Sequence, residues 1–209
     1  MSANTANFEL LRDAQIKRGR WLEYLTISWN LIESAVSIGA GILAGSTSLV
    51  GFGVDALIES ASAVTLLWRL QKGARGEERE KLALKFVGVS FLLLAAYVLF
   101  EAVKSLILRE AAETSFAGIA IAALSLVVMP VLARAKRRVA AQLNSRALRA
   151  DSRQSDLCAY LSAILLVGLG LNALFGWWWM DAAAALVMTP IIAREGFRAL
   201  RGESCDDCH

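Results

Sequence analysis

The chain has 209 residues, of which 56% are hydrophobic, with a mean hydropathy of +0.51 and a formal net charge of +3. This composition is too apolar for an ordinary soluble domain, and it favours an integral membrane protein. Stretches close to the roughly 17–25 apolar residues that cross a bilayer recur along the sequence. They leave no room for a separate soluble domain.

Six membrane spans are predicted, so we expect an all-α, integral membrane six-helix bundle. The last span is short by the length rule, and we expect its helix to continue past Arg194. In chain order the predicted spans are residues 24–43, 47–68, 82–100, 116–132, 157–174 and 177–192.

Three of these spans carry polar residues along one helical face. Spans three, four and six have no comparable stripe, which predicts an inner bundle of spans one, two and five with an apolar outer layer. Small residues on these faces would let the helices approach closely. The stripes are Thr26, Asn30, Glu33, Ser34, Ser37 and Gly41 in span one, Ser48, Gly51, Asp55, Glu59 and Ser62 in span two, and Asp151, Gln154, Ser155, Cys158 and Ser162 in span five, extended toward its N-terminal side.

A pair of carboxylates, Asp55 and Glu59, lies one helical turn apart in the middle of span two. A charged side chain near the bilayer centre costs at least about 2.5–3.5 kcal/mol, so it is rare without a function or a partner. Two carboxylates on one face repel each other unless a cation or a proton lies between them. Ser, Asn and Gln residues can serve only as contacts between helices, but such contacts do not need two acids. The pair therefore predicts a cation site.

Basic residues predict the topology. All but two of the 22 Lys and Arg residues fall in the N-terminal segment, the second connection and its flanks, the fourth connection and the C-terminal segment. This bias places both termini in the cytoplasm and predicts a multi-pass protein of the plasma (inner) membrane. The basic run at residues 134–138 is then a topology signal that contacts anionic lipid, and no nucleic-acid partner is expected. Three consecutive tryptophans, residues 177–179, are typical of the outer interface.

The second span resembles that of the cation diffusion facilitator (cation efflux) family. Its segment SLVGFGVDALIES, which ends at Ser60, is similar to the family's Asp/His-x-x-x-Asp motif, with Asp55 and Glu59 at the two positions. The segment SRALRAD, residues 145–151, resembles the approach to the family's fifth-span motif. The resemblance covers nearly all of residues 21–200. It implies a six-span transporter that works as a homodimer and exchanges a divalent metal ion for protons.

The resemblance also implies a metal site shared between spans two and five. Aligning Ala150–Asp151 places Gln154 at the family's His position and Cys158 at its Asp position. A register shifted by two residues would use Ser152 and Asp156 instead, but Asp151, Gln154 and Cys158 share one polar face. The predicted metal ligands are Asp55, Glu59, Asp151, Gln154 and Cys158.

One departure from the family shapes the expected chemistry. No span contains a histidine, because the only His of the chain is His209. The resemblance implies zinc as the metal. Cys158 would favour soft ions such as Cd²⁺, and Mn²⁺ stays open if Cys158 is not a ligand.

The predicted ligands differ in depth along the spans. Gln154 and Cys158 lie at the edge of span five, up to roughly 10 Å from the depth of the carboxylate pair at 1.5 Å rise per residue. A water-filled cavity would bridge that offset.

Three segments are expected: a cytoplasmic N-terminal segment (1–20), the transmembrane domain (21–200) and a cytoplasmic tail (201–209). The family's cytoplasmic metal-binding domain is missing, which indicates a short, membrane-only branch. Cys205, Cys208 and His209 in the tail offer soft ligands for zinc-like metals, and a disordered tail with reduced thiols is the alternative.

We therefore expect a divalent metal efflux transporter, with zinc as the cargo, that exchanges metal for protons and holds no permanently bound cofactor. An enzyme is not expected, since the spans lack His and the chain lacks Gly-x-Ser-x-Gly and His-Glu-x-x-His motifs. The alternative is a membrane metal-sensing or scaffold protein without transport. Such a protein would keep the tail but would not need Asp55 and Glu59.

Overall fold

The computed structural model describes residues 2–72 and 77–201, and these residues form six α-helices and no strand. The predicted all-α six-helix bundle is therefore confirmed. Each predicted span overlaps one helix, although the helices extend well beyond most of the spans. The helices are α1 (Ser2–Ala44), α2 (Thr47–Lys72), α3 (Glu77–Leu108), α4 (Phe116–Leu143), α5 (Arg146–Phe175) and α6 (Met180–Arg201).

Five of the helices contain a segment that is long and apolar enough to cross a membrane. Among the described residues α6 is not one of them, because its 22 residues carry Asp181 in the first turn and Arg194, Glu195, Arg198 and Arg201 toward the end. The helix continues past Arg194 as predicted. The five segments are Arg12–Ala44, Thr47–Leu67, Gly88–Leu108, Phe116–Leu143 and Asp151–Phe175.

The connections α1–α2, α3–α4 and α5–α6 meet at one end of the bundle, which we call the loop end. There the amide of Glu113 donates a hydrogen bond to the carbonyl of Ala44 at 2.8 Å, and Asn172 Nδ2 donates to the carbonyl of Ala112 at 2.8 Å. Gly176 ends α5 in the left-handed region, with φ of 66°. The opposite end, where α6 finishes, is the terminal end.

Helix α2 lies in the middle of the bundle and packs against α1, α3, α5 and α6. Its approach to α1 depends on glycine. A Cβ atom at Gly41 would lie 2.7 Å from Val50 Cγ2, and one at Gly53 would lie 2.7 Å from Ile38 Cγ1. These distances are too short for any side chain, so the small residues allow the close packing that the sequence predicts.

The predicted polar stripes of α1, α2 and α5 face the interior. Every stripe residue is buried except Ser62 and Gln154, which are half-buried. Helix α4 departs from the predicted apolar outer layer, since it packs against α1 and buries Ser125 and Lys136. Helix α4 therefore adds polar residues to the interior formed by α1, α2 and α5.

Candidate metal site

The carboxylates of Asp55 and Glu59 lie inside the bundle on α2, with only 6% and 1% of these residues exposed. Ser155 on α5 donates its hydroxyl to Glu59 Oε1 at 2.8 Å. The other oxygen of Glu59, Oε2, is buried and has no hydrogen-bond partner among the described residues. One face of α2 thus presents two buried acids to α5.

A small cavity connects Asp55 with the half-buried Gln154. Its volume of about 10 Å³ is close to the space that one water molecule needs. Within the described residues, Gln154 Nε2 is buried without a hydrogen-bond partner. Glu195 on α6 lines the same cavity, and it is a residue that sequence reasoning missed. Glu195 lies beyond the apolar part of the last span, where charged residues are common and do not by themselves indicate a functional site.

Cys158 faces a third carboxylate, Glu33 of α1. Its Sγ atom lies 3.4 Å from Glu33 Oε1, while Trp29 Nε1 donates to Glu33 Oε2 at 2.7 Å. The hydroxyl of Ser125 on α4 also donates to Glu33 Oε2. Glu33 therefore connects α1 with α4 and α5. The sequence placed it on the polar stripe but not among the ligands.

Asp151 forms a buried ion pair with Lys136 of α4, whose Nζ atom also lies 3.1 Å from Glu23 Oε2. The assignment of Lys136 to a basic, lipid-facing segment is therefore corrected, because its side chain is fully buried. Glu23 was missed as well. It stands three residues before Thr26 and seven before Asn30, so the helical period of the α1 stripe would have included it.

Asp156 of the alternative register lies elsewhere. It pairs with Arg137 of α4, and the two side chains are 32% and 42% exposed. Ser152 is buried, but its hydroxyl donates to the carbonyl of Arg149 at 2.7 Å. The structure thus separates Asp156 from the buried face that holds Asp151 and Cys158.

The predicted ligands form neighbouring groups along the α2–α5 contact and do not form one closed cluster. Across residues 2–72 and 77–201, no three His, Cys, Asp or Glu side chains are close enough together to hold one metal ion. Glu33, Asp55, Glu59 and Cys158 are nevertheless near enough to interact electrostatically. The predicted tail ligands Cys205, Cys208 and His209 lie outside the described residues.

The cation efflux transmembrane domain family matches residues 24–203 of the chain. The chain belongs to the cation efflux family. Membership confirms the resemblance that the carboxylate pair of α2 indicated, and it places the chain among transport domains and not among enzymes.

Three relatives of this cation efflux chain are similar over most of its length. It is 27% identical to transmembrane protein 163 of Xenopus laevis over 187 residues, and these residues cover 88% of this chain and 66% of the relative. An uncharacterized transporter of Methanocaldococcus jannaschii is 28% identical over 182 residues, or 83% of this chain and 64% of the relative. An uncharacterized transporter of Synechocystis is 26% identical over 171 residues, which cover 78% of this chain and 55% of the relative. The chain therefore spans less than two thirds of the length of each relative.

The interior of this cation efflux domain holds more negative than positive groups. Burying an ion costs several kcal/mol unless an opposite charge and hydrogen bonds compensate. Among the described residues Lys136 is the only buried Lys or Arg. The buried acids are Glu23, Glu33, Asp55, Glu59, Asp151 and, at the loop end, Asp181.

Proposed function

We propose that the chain exports a divalent metal ion, with zinc as the cargo, across the plasma (inner) membrane in exchange for protons. The burial of Asp55 and Glu59 one turn apart, at the contact of α2 with α5, carries this proposal. Two adjacent acids in a membrane interior are compensated by a metal ion or by protons. A site that accepts either can exchange one for the other.

In this proposal the ligands are Asp55, Glu59, Gln154 and Cys158, with Asp151 toward the terminal end. Metal binding replaces the hydrogen bonds that Glu59 and Cys158 make to Ser155 and Glu33. Carboxylate, amide and thiolate donors together suit Zn²⁺, and the sulfur adds a preference for soft ions over Mg²⁺. The metal is cargo, and no permanently bound cofactor is proposed.

The basic residues support a direction of transport. They place the terminal end in the cytoplasm by the positive-inside rule, so metal enters from that end and leaves at the loop end. We propose a homodimer on the basis of the family resemblance. We also propose that residues 21–200 form the transport domain, between the cytoplasmic segments 1–20 and 201–209.

A flux assay on the full chain in sealed vesicles tests the proposal. Zn²⁺ and a pH-sensitive dye are followed together, and we expect Zn²⁺ entry to drive protons out and an imposed pH gradient to drive Zn²⁺ movement. The control is empty vesicles of the same lipid composition. Zn²⁺ movement without proton movement would disprove exchange, while Zn²⁺ binding without flux would favour a metal-sensing or scaffold protein. If the chain neither binds nor transports Zn²⁺, Cd²⁺ or Mn²⁺, the proposal is overturned.

A further inference from the structure

Lys136 joins three helices near the terminal end of the bundle. Its ammonium is paired with Asp151 of α5 and lies 3.1 Å from Glu23 Oε2 of α1, and all three residues are buried. We call Glu23, Lys136 and Asp151 the buried triad. It contains a tethered cation that contacts one of the proposed metal ligands.

The buried triad has more acceptor atoms than its ammonium satisfies. Glu23 Oε1 and Asp151 Oδ1 are buried and have no hydrogen-bond partner among the described residues. Glu59 Oε2 is also buried without a hydrogen-bond partner among the described residues, and Glu59 interacts electrostatically with Lys136. Buried acceptors without a donor are rare because each costs free energy. The Lys136 ammonium therefore does not supply a donor for every carboxylate oxygen in its surroundings.

We propose that the Lys136 ammonium competes with the transported metal ion for Asp151, and that Glu23 keeps Lys136 paired when the metal binds. The inference rests on the proposed function, in which Asp151 is a metal ligand. A metal ion and an ammonium on one carboxylate repel each other strongly in a medium of low dielectric constant. A buried ammonium released without a partner would be costly, and Glu23 removes that cost because it is already in contact.

Competition predicts effects of opposite sign at the two positions beside Asp151. Lys136→Met keeps most of the side-chain volume and frees Asp151, so the affinity for Zn²⁺ should rise by about tenfold, the lower range of coupling between close charges. Glu23→Gln leaves Asp151 as the only carboxylate partner of Lys136 in the triad. The ion pair should then hold Asp151 more firmly, and the affinity for Zn²⁺ should fall.

A general electrostatic effect of the changed charge would give the same signs, and the Asp151→Asn background separates the two explanations. If Lys136 competes for Asp151, Lys136→Met should change Zn²⁺ affinity by less than about twofold once Asp151 is no longer a carboxylate. If Lys136 acts only through its field on Glu59 and Asp55, the increase should persist in that background.

Arg137→Met is the matched control. Arg137 is adjacent in sequence, comes from the same helix, and pairs with Asp156 of α5 at a half-exposed position. Its replacement removes one positive charge and one α4–α5 ion pair without touching the triad. Lys136→Met leaves two buried acids without their cation and can therefore prevent folding. In that case the double variant Lys136→Met/Glu23→Gln is compared with Glu23→Gln, and we expect the double variant to bind Zn²⁺ more tightly.

The measurement is the Zn²⁺ dissociation constant of the purified full chain in lipid nanodiscs, by competition with a chelating dye. All proteins carry Cys205→Ser and Cys208→Ser, so that tail thiols do not contribute. We expect tighter binding for Lys136→Met, weaker binding for Glu23→Gln and no change for Arg137→Met. Unchanged or weaker binding for a folded Lys136→Met, or an increase that persists with Asp151→Asn, overturns the inference alone. Absence of Zn²⁺ binding by the chain with only the two tail substitutions would instead overturn the proposed function.

Discussion

The hydroxyl of Ser155 on α5 donates a hydrogen bond to Glu59 Oε1 on α2, with an oxygen–oxygen distance of 2.8 Å. Because Ser155 follows Gln154 and precedes Cys158 by three residues, this bond places both predicted ligands within a turn of the α2 carboxylates. The bond also connects the two helices whose residues supply the proposed site. In the proposed function, a metal ion bound to Glu59 would compete with this hydrogen bond.

Loss of the α2 carboxylates should abolish transport. Asp55→Ala and Glu59→Ala should reduce Zn²⁺ flux in vesicles to the background rate, while insertion into the membrane is unchanged or improved, because a buried charge opposes insertion. Glu101→Ala is the matched control, since Glu101 is also on a membrane helix but pairs with Lys104 at 3.2 Å and is partly exposed. A well-inserted double variant that transports at the wild-type rate would contradict the assignment.

Replacement of Cys158 should change metal preference. Cys158→Ser retains a donor for Glu33 Oε1, so the contact between α5 and α1 is preserved. We expect Zn²⁺ and Cd²⁺ to bind about tenfold more weakly and Mn²⁺ to be little affected, because only the soft ions gain from sulfur. Dissociation constants for the three metals measure this. Equal losses for all three would make Cys158 a packing residue.

The two acids of α5 should differ in importance. Asp151→Asn removes a buried partner of Lys136 and a proposed ligand, so both metal binding and stability should fall. Asp156→Asn breaks only a half-exposed ion pair with Arg137, which is worth at most about 1 kcal/mol. Flux and thermal unfolding of the two variants should be measured in parallel. The reverse order would show that the alternative register, with Asp156 as the ligand, is the correct one.

Asp181 should stabilise the loop end without affecting the metal. Its carboxylate accepts hydrogen bonds from the hydroxyls of Ser46 and Ser48 and, at 2.9 Å, from the amide of Thr47, so α6 caps the start of α2. Asp181→Ala should cost about 1–3 kcal/mol for the donors left unsatisfied. A lower melting temperature with an unchanged Zn²⁺ dissociation constant is expected. Weakened Zn²⁺ binding in the folded variant would count against a purely structural role.

The tail should matter only when metal is scarce. Deletion of residues 203–209 removes Cys205, Cys208 and His209 without shortening any described helix. If the tail captures Zn²⁺ for delivery, transport should fall at low concentration while the maximal rate is kept, because local capture saturates when bulk metal is abundant. Rates over a range of Zn²⁺ concentrations test this. A reduced maximal rate would point to a conformational role, and no change would make the tail dispensable.

The depth of the site shows how a span boundary drawn from hydropathy can mislead. The predicted fifth span begins at residue 157, which left Gln154 at its edge and raised the expectation of a water-filled cavity. Helix α5 begins at Arg146, and the polar residues Asp151, Ser152 and Ser155 of its early turns are buried in the bundle. Hydropathy measures preference for lipid, so it does not detect polar turns that other helices cover.

The sequence alone determined the number of helices, the buried polar faces of α1, α2 and α5, and the acid pair, because apolar length and the helical period are local properties of the chain. It did not determine which buried groups meet. Lys136 looked like an exposed basic residue, since its partners Glu23 and Asp151 lie 113 and 15 positions away. Cys158 and Glu33 are likewise separated by 125 positions. Only the packing of α1, α4 and α5 decides these contacts, and it shows which side chains the predicted ligands Asp151 and Cys158 meet.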